Sequence, residues 1–270
     1  AAIGAAGEIG DGARPPESSY SFLDNIRRLV IFATSGEMTT KREIRKREIL
    51  EQGLDVLYRN GYAATGVQEL ADASGIPKGS FYNYFESKEH FAVEAVGLYS
   101  RRLLAVEYLA LQADDSPEPE RKTGGTGAEM NAPKAVSQSA AKEYFSPPAG
   151  TPPAERVALF FQRLAEHHER RGQPGPGCLV GNLSQELGGH SDSLAAAINE
   201  FFDDFRRPIV SCLRAAAAGG PGAKPAAMDP DLLAGLIVNG YQGALVRMKA
   251  QRSAAPLFEF HRCLRALLRV

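Results

Sequence analysis

Between residues 78 and 88 the chain gathers side chains suited to hydrogen-bonding a patterned surface: Lys78, Ser80, Tyr82, Asn83, Tyr84 and Lys88. Phe81 and Phe85 lie four apart, so on a helix they share one side and turn inward, leaving the polar tips outward on a small, rigid element. An asparagine in that setting pairs bidentately with adenine, a lysine reaches guanine, and tyrosine hydroxyls and a further lysine reach phosphates. Gly79 has no side chain and lets the backbone come close to a duplex. The same pattern also suits ordinary helix packing, so the choice depends on the surrounding elements.

Those elements read as helices. From Lys41 to Asn60, the residues Ile49, Leu50, Leu54 and Leu57 mark one side of a helix, and Asn60-Gly61 suits a left-handed end. Thr65 followed by Gln68 forms a capping-box pattern that opens a short helix to Ala73, closed by Ser74-Gly75. Pro77 fits the first turn of a short aromatic helix through Phe85. Ser87 then caps a long fourth helix with Phe91, Val96, Leu98, Tyr99, Leu103 and Leu104 on its apolar face. The second and third helices, joined at Gly75, make a helix-turn-helix whose second member fits a major groove.

At these residues the sequence resembles a known family. Gly61-Tyr62-Ala63-Ala64-Thr65, Glu69-Leu70-Ala71 and the run from Gly75 to Glu89 look like the N-terminal signature of TetR-type regulators, densely over residues 41 to 92. The resemblance implies an all-helical homodimer whose two DNA-reading heads change spacing when an effector binds. Carried onto this chain, it implies that Lys78, Ser80 and Asn83 face bases, with Gly79 allowing close approach. It also implies that Thr65, Tyr82, Tyr84 and Lys88 hold phosphates of double-stranded operator DNA. A second segment, Gly177 to Leu187, resembles the middle of the subgroup that includes the acrylate-utilisation regulator and the N-ethylmaleimide-responsive repressor. That likeness implies a small-molecule effector, acrylate-like or electrophilic.

Cys178 follows a Pro-Gly-Pro-Gly break and begins a helix, where the positive dipole end lowers a thiol pKa and favours a reactive thiolate. The alternative is a small buried residue packed against a neighbouring helix. Where an electrophile-sensing relative would carry a further cysteine, this chain has His167-His168-Glu169, which speaks against covalent sensing. The two histidines are adjacent, point about 100° apart and cannot share a metal as an i, i+4 pair does, so they read as solvated helix-end residues. Asn182, Tyr241 and Gln242, with Asn239, are polar groups in apolar helices that either line a ligand pocket beside Cys178 or are satisfied core polars. Cys212, Cys263 and His261 fall in apolar stretches and read as core or interface.

The remaining organisation is that of an all-α fold. Residues 1–37 are rich in Gly, Ala, Ser and Pro and read as a disordered extension, with Met38 as the natural start. Residues 38–90 form the helix-turn-helix domain and residues 91–270 the effector-binding and dimerisation domain, with a flexible insertion at 113–150. Further helices are expected at about 152–171, 178–188, 192–217, 230–252 and 255–268, Pro208 kinking or splitting the third of these. The broad apolar stripes of the last two suit a bundle across a two-fold axis, with Gly240, Gly243 and Ala244 permitting close approach.

Composition narrows the function classes. With 44% apolar residues, no Trp and a net charge of −1, the chain is no broadly basic nucleic-acid binder. Any DNA contact draws on the local cluster Lys41, Arg42, Arg45, Lys46 and Arg47. Three dispersed cysteines argue against a disulfide framework or structural zinc and fit a reducing cytoplasm. The apolar run Leu29–Ala33 is too short to span a bilayer. No phosphate loop, nucleophile elbow, HExxH or paired carboxylates appear, so no cofactor, metal or catalytic residue is expected. The alternatives are an activator or architectural protein with the same head, or a small-molecule-binding protein or enzyme with an incidental three-helix N-terminus.

Overall fold

The computed structural model describes residues 40–111, 144–170, 175–187, 189–219 and 228–270. The expected N-terminal extension, and residues 113–143 of the expected insertion, lie outside them. Among the described residues the principal elements are α1 Lys41–Asn60, α2 Val67–Ala73, α3 Lys78–Phe81, α4 Lys88–Leu111, α5 Pro153–Arg170, α6 Leu179–Leu187, α7 Asp192–Ala217, α8 Pro230–Gln251 and α9 Ala255–Leu268. The class is the all-α one expected.

Local chemistry explains where these helices start. Thr40 accepts the N–H of Glu43, whose carboxylate accepts the Thr40 N–H in return, a reciprocal capping box before α1. Ser87 Oγ accepts from the N–H of His90 at 3.0 Å, the expected cap of α4. Ser191 caps α7 through the N–H of Leu194, and Asp229 caps α8 through the N–H groups of Asp231 and Leu232.

Several local expectations are corrected. Gly61 has φ 82° and ψ 173°, a positive φ outside the left-handed helical well, with its N–H donating to Leu57. Thr65 does not cap α2. The N-cap is Gly66, without a side-chain cap. The turn from 61 to 65 folds back on itself, so Thr65 Oγ1 is buried and donates to the Gly61 carbonyl at 2.6 Å, while Gln68 bonds Asp72. The aromatic helix is α-helical only over Lys78–Phe81. Beyond it, tighter i→i+3 bonds take over, Asn83 N–H to Ser80 and Tyr84 N–H to Phe81. Pro208 lies inside α7 without dividing it, because Phe201, Phe205, Ile209 and Leu213 bury one continuous face across the missing N–H. At the end of the expected insertion, Phe145 is buried and Tyr144 donates to Glu166 at 2.8 Å, so residues 144 and 145 pack onto α5.

The head comprises α1 to α3, and α4 runs from it into the rest of the chain, packing on α7, α5 and α1. Its core is an aromatic box: the ring of Phe91 lies 5.8 Å from that of Phe81 and 4.9 Å from that of Phe85, all three fully buried. Gly53 of α1 sits directly over Phe91, and a Cβ there would come within 2.5 Å of the ring. A buried ion pair ties α1 to α4. Arg102 Nη2 lies 3.4 Å from Glu51 Oε1, to which Arg47 Nε also donates at 3.2 Å. Beyond the head, Phe160, Phe161, Phe201, Phe205, Tyr241 and Phe260 form one aromatic cluster joining α5, α7, α8 and α9.

Glu107 on α4 has no exposed surface, and among the described residues neither carboxylate oxygen finds a hydrogen-bond partner. Burial therefore pushes its pKa well above the carboxylate range. The folded state keeps a proton that the unfolded chain releases near pH 4.5, so this group's stability contribution is full below that pH and is lost as pH rises toward the folded pKa. Glu107→Gln is expected to melt like wild type at pH 4.5 and to be more stable by about 1 kcal/mol or more at pH 8, the cost to the wild type of a raised folded pKa at about 1.4 kcal/mol per unit. Thermal melts of both proteins across that range test this.

Candidate DNA interface and small-molecule cleft

The turn between α2 and α3 is built by backbone and small side chains. Ser74 Oγ donates to Leu70 at 2.9 Å, Gly75 takes φ 61°, and the Ile76 N–H returns to Ala71 at 3.0 Å. Phe81 and Phe85 then anchor α3 in the core, as their spacing predicts, and Lys78, Gly79, Tyr82 and Asn83 are exposed, Tyr82 by 52%. Ser80 and Tyr84 are half-buried at the edge of this face. Arg42 braces the face from α1, its guanidinium donating to the Asn83 carbonyl at 2.6 Å.

Two residues expected at phosphates do other things here. The Thr65 hydroxyl is buried on Gly61, as described above. Lys88 is turned inward: its ammonium donates to the carbonyls of Tyr62 at 3.0 Å and Thr65 at 2.9 Å and lies 3.9 Å from the Tyr62 ring centre. Burial lowers the Lys88 pKa, with Glu186 acting in the opposite direction. The basic cluster is also largely engaged within the fold. Arg45 pairs with Glu48 and the Ser74 carbonyl, Lys46 with Glu94, and Arg47 with Glu51. Among the described residues of the head, Lys41, Arg42, Arg59 and Lys78 are exposed cations.

The other candidate site lies among α6, α7 and α8. A cleft of about 520 Å³ is lined by Cys178, Asn182 and Gln242, with Asn239, Arg206 and Lys249 among the polar groups around it. Three of the four residues expected to meet a ligand thus line one cleft. The fourth, Tyr241, is buried behind it beside a void of about 20 Å³, facing Tyr58, Tyr99 and His168, with Cys178 and Gln242 bordering both spaces. Tyr58, Tyr99 and His168 were not expected there. His168, expected to be solvated, is buried and continues the α5 stripe of Phe161, Leu164 and Ala165 by one further turn, a helical register visible in the sequence. Among the described residues no cluster of three or more metal-ligating side chains occurs.

Cys178 differs from expectation in its electrostatics. The Gly181 N–H does point at its sulfur, at 3.4 Å, and Tyr99 donates from 4.0 Å. Complete burial outweighs these bonds and raises the thiol pKa. Cys212, also buried, is pushed up to about 11 by burial, and Cys263 is exposed. Treating the native protein with N-ethylmaleimide at pH 7 is expected to leave Cys178 and Cys212 unmodified by peptide mass spectrometry.

Comparison with known proteins agrees with this architecture. Residues 49–95 match the model of bacterial regulatory proteins, tetR family, and residues 153–264 match the Tetracyclin repressor-like C-terminal domain. The transcriptional regulator AcuR of Cereibacter sphaeroides is 32% identical over 217 residues, covering 79% of this chain and 80% of AcuR. The chain belongs to the TetR family. The HTH-type transcriptional repressor DhaR of Mycobacterium sp. strain GP1 is 28% identical over 215 residues, covering 80% of this TetR-family chain and 87% of DhaR. The HTH-type transcriptional repressor NemR of Escherichia coli is 40% identical over 48 residues, 18% of this chain and 24% of NemR. These relatives fit the subgroup expected from Gly177 to Leu187. Among solved structures, the regulatory protein TetR from Rhodobacter sphaeroides is similar at a TM-score of 0.62 and 28% identity, covering 83% of this chain and 98% of that one. The chain is therefore a DNA-binding transcriptional regulator with the TetR-family arrangement of an N-terminal helix-turn-helix and a helical C-terminal domain. No helix among the described residues is long and apolar enough to cross a membrane.

Proposed function

We propose that this regulator is a cytoplasmic, homodimeric repressor, not an enzyme, that leaves a palindromic operator when a small molecule enters the cleft among α6, α7 and α8. The observation that carries the reading is the short element formed by α3 and the turn through Phe85, anchored by Phe81 and Phe85, which presents Lys78, Gly79, Tyr82 and Asn83 outward. In this reading Lys78, Ser80 and Asn83 meet base edges, and Tyr82 and Tyr84 meet phosphates. Thr65 and Lys88 shape the turn that carries the head. Three named relatives are transcriptional regulators, two of them called repressors, which supports repression over activation.

Dimerisation through α8 and α9 is supported by apolar side chains left uncovered there: Leu232 is 69% exposed, Leu236 49%, Val246 54% and Leu267 44%. Gly240 serves the packing of this chain instead, since a Cβ there would come within 2.9 Å of Phe260. The raised Cys178 pKa favours a non-covalent effector over thiol modification.

The test is a fluorescence titration with a duplex taken from upstream of the protein's own gene. Asn83→Ala is expected to weaken binding by about 1–3 kcal/mol and to relax preference at one base pair. Lys78→Ala should weaken it similarly at a neighbouring position. Wild-type affinity in both variants would remove α3 as the reading element.

A further inference from the structure

The element from Lys78 to Phe85 is too short to hold its own shape. α3 is a single α-helical turn, and beyond it the backbone continues in i→i+3 bonds, Asn83 N–H to Ser80 and Tyr84 N–H to Phe81. So short a stretch keeps its place through what it packs on. Phe81 and Phe85 fix its depth, but two anchors define a line, and an element held along a line still rocks about it. Two guanidiniums of α1, three residues apart and so on one side of that helix, close this freedom. Arg45 Nη2 donates to the Ser74 carbonyl at 2.9 Å, just ahead of the element. Arg42 Nη2 donates to the Asn83 carbonyl at 2.6 Å, towards its far end. Both bonds are charge-assisted and both fall on backbone, so they hold the path of the chain itself.

We infer that Arg42 is a specificity-determining positioning residue: by holding the Asn83 carbonyl it sets where the Asn83 side chain stands against the base edges, and it acts through that bond instead of gripping a phosphate. The inference rests on the reading of Asn83 as a base contact. Carbonyl and side chain of Asn83 hang on one Cα, so fixing the first limits the second. A bidentate asparagine–adenine pair tolerates a displacement of only about 0.5 Å. A brace on the same residue is therefore felt in base preference before it is felt in overall affinity. Arg42 also precedes residue 49, where the match to the family's N-terminal model begins, so the shared signature does not supply this brace.

The experiment compares the full-length wild type, Asn83→Ala, Arg42→Met and the double variant. Each is titrated with the duplex from upstream of the gene and with a series of duplexes in which every base pair is replaced in turn. Methionine keeps much of the arginine stem and removes its donors. Asn83→Ala identifies the base pair that Asn83 reads. Arg42→Met is expected to lower the ratio of native to substituted affinity at that base pair by about threefold or more and to leave the ratios elsewhere unchanged. In the Asn83→Ala background it is expected to lower that ratio no further, the non-additivity of two residues serving one contact. The slope of log affinity against log salt concentration is expected to change by less than about half a unit, where loss of a phosphate contact lowers it by about one. Uniformly weaker binding with preference intact and a slope lowered by about one makes Arg42 a phosphate ligand and overturns the inference, as does a loss of preference at every position alike. A wild type that does not bind the duplex, or an Asn83→Ala variant with wild-type preference, overturns the reading of Asn83 and this inference with it. The expected Asn83→Ala behaviour beside an Arg42→Met variant of wild-type preference overturns the positioning role alone.

Discussion

Phe91→Ala is expected to destabilise the head by about 3–5 kcal/mol, the cost of removing a large, fully enclosed ring and leaving a void. The ring has no exposed surface, meets Phe81 and Phe85, and lies under Gly53. The same ring supports the inner side of α3, so the loss reaches function: the exposed face of Lys78, Tyr82 and Asn83 keeps its residues but loses its platform. Chemical denaturation followed by circular dichroism should show a lowered midpoint, and titration with the upstream duplex should show weakened binding at every sequence. A variant with wild-type stability would mean that the aromatic box collapses to fill the space.

The second large effect concerns the ion pair between α1 and α4. Glu51→Leu removes the carboxylate that lies 3.4 Å from the Arg102 guanidinium, itself 2% exposed. Truncating one member of a buried pair costs up to about 3–5 kcal/mol, because part of what offsets desolvation of the survivor is lost. Combining Glu51→Leu with Arg102→Met should recover much of that loss, since neither charge is then buried, although Arg47 also loses its carboxylate. Urea melts of the two single variants and the double variant decide it. A double variant as unstable as the sum of the singles would show that Glu51 and Arg102 are held by separate neighbours.

Much of this molecule was legible because it follows helical periodicity and short-range capping. Phe81 and Phe85 point inward because they are four apart, and Ser87 caps α4 because a hydroxyl three residues before an N–H is a local arrangement. Tertiary closure decided the rest. Thr65 and Gln68 have the spacing of a capping box, yet the turn from Gly61 offers the Thr65 hydroxyl a nearer carbonyl. Lys88 looked like a phosphate ligand until the carbonyls of Tyr62 and Thr65 came within its reach. Cys178 begins a helix, which favours thiolate, but enclosure by side chains distant in sequence, Tyr99 and Gln242 among them, reverses the sign. Glu186 accepts the Ala63 N–H across 123 residues of sequence, a distance over which no local pattern operates.

Gly53 has a practical consequence for anyone stabilising this regulator. Replacing a mid-helix glycine by alanine is a common route to greater thermal tolerance, because it favours the helix by about 1 kcal/mol. At this position the added methyl would meet the Phe91 ring at 2.5 Å, and the ring, walled in by Phe81 and Phe85, has nowhere to swing. The glycine acts as a spacer gauge between α1 and α4, and a sequence-based stabilisation scheme that treats it as a weak point would force those two helices apart.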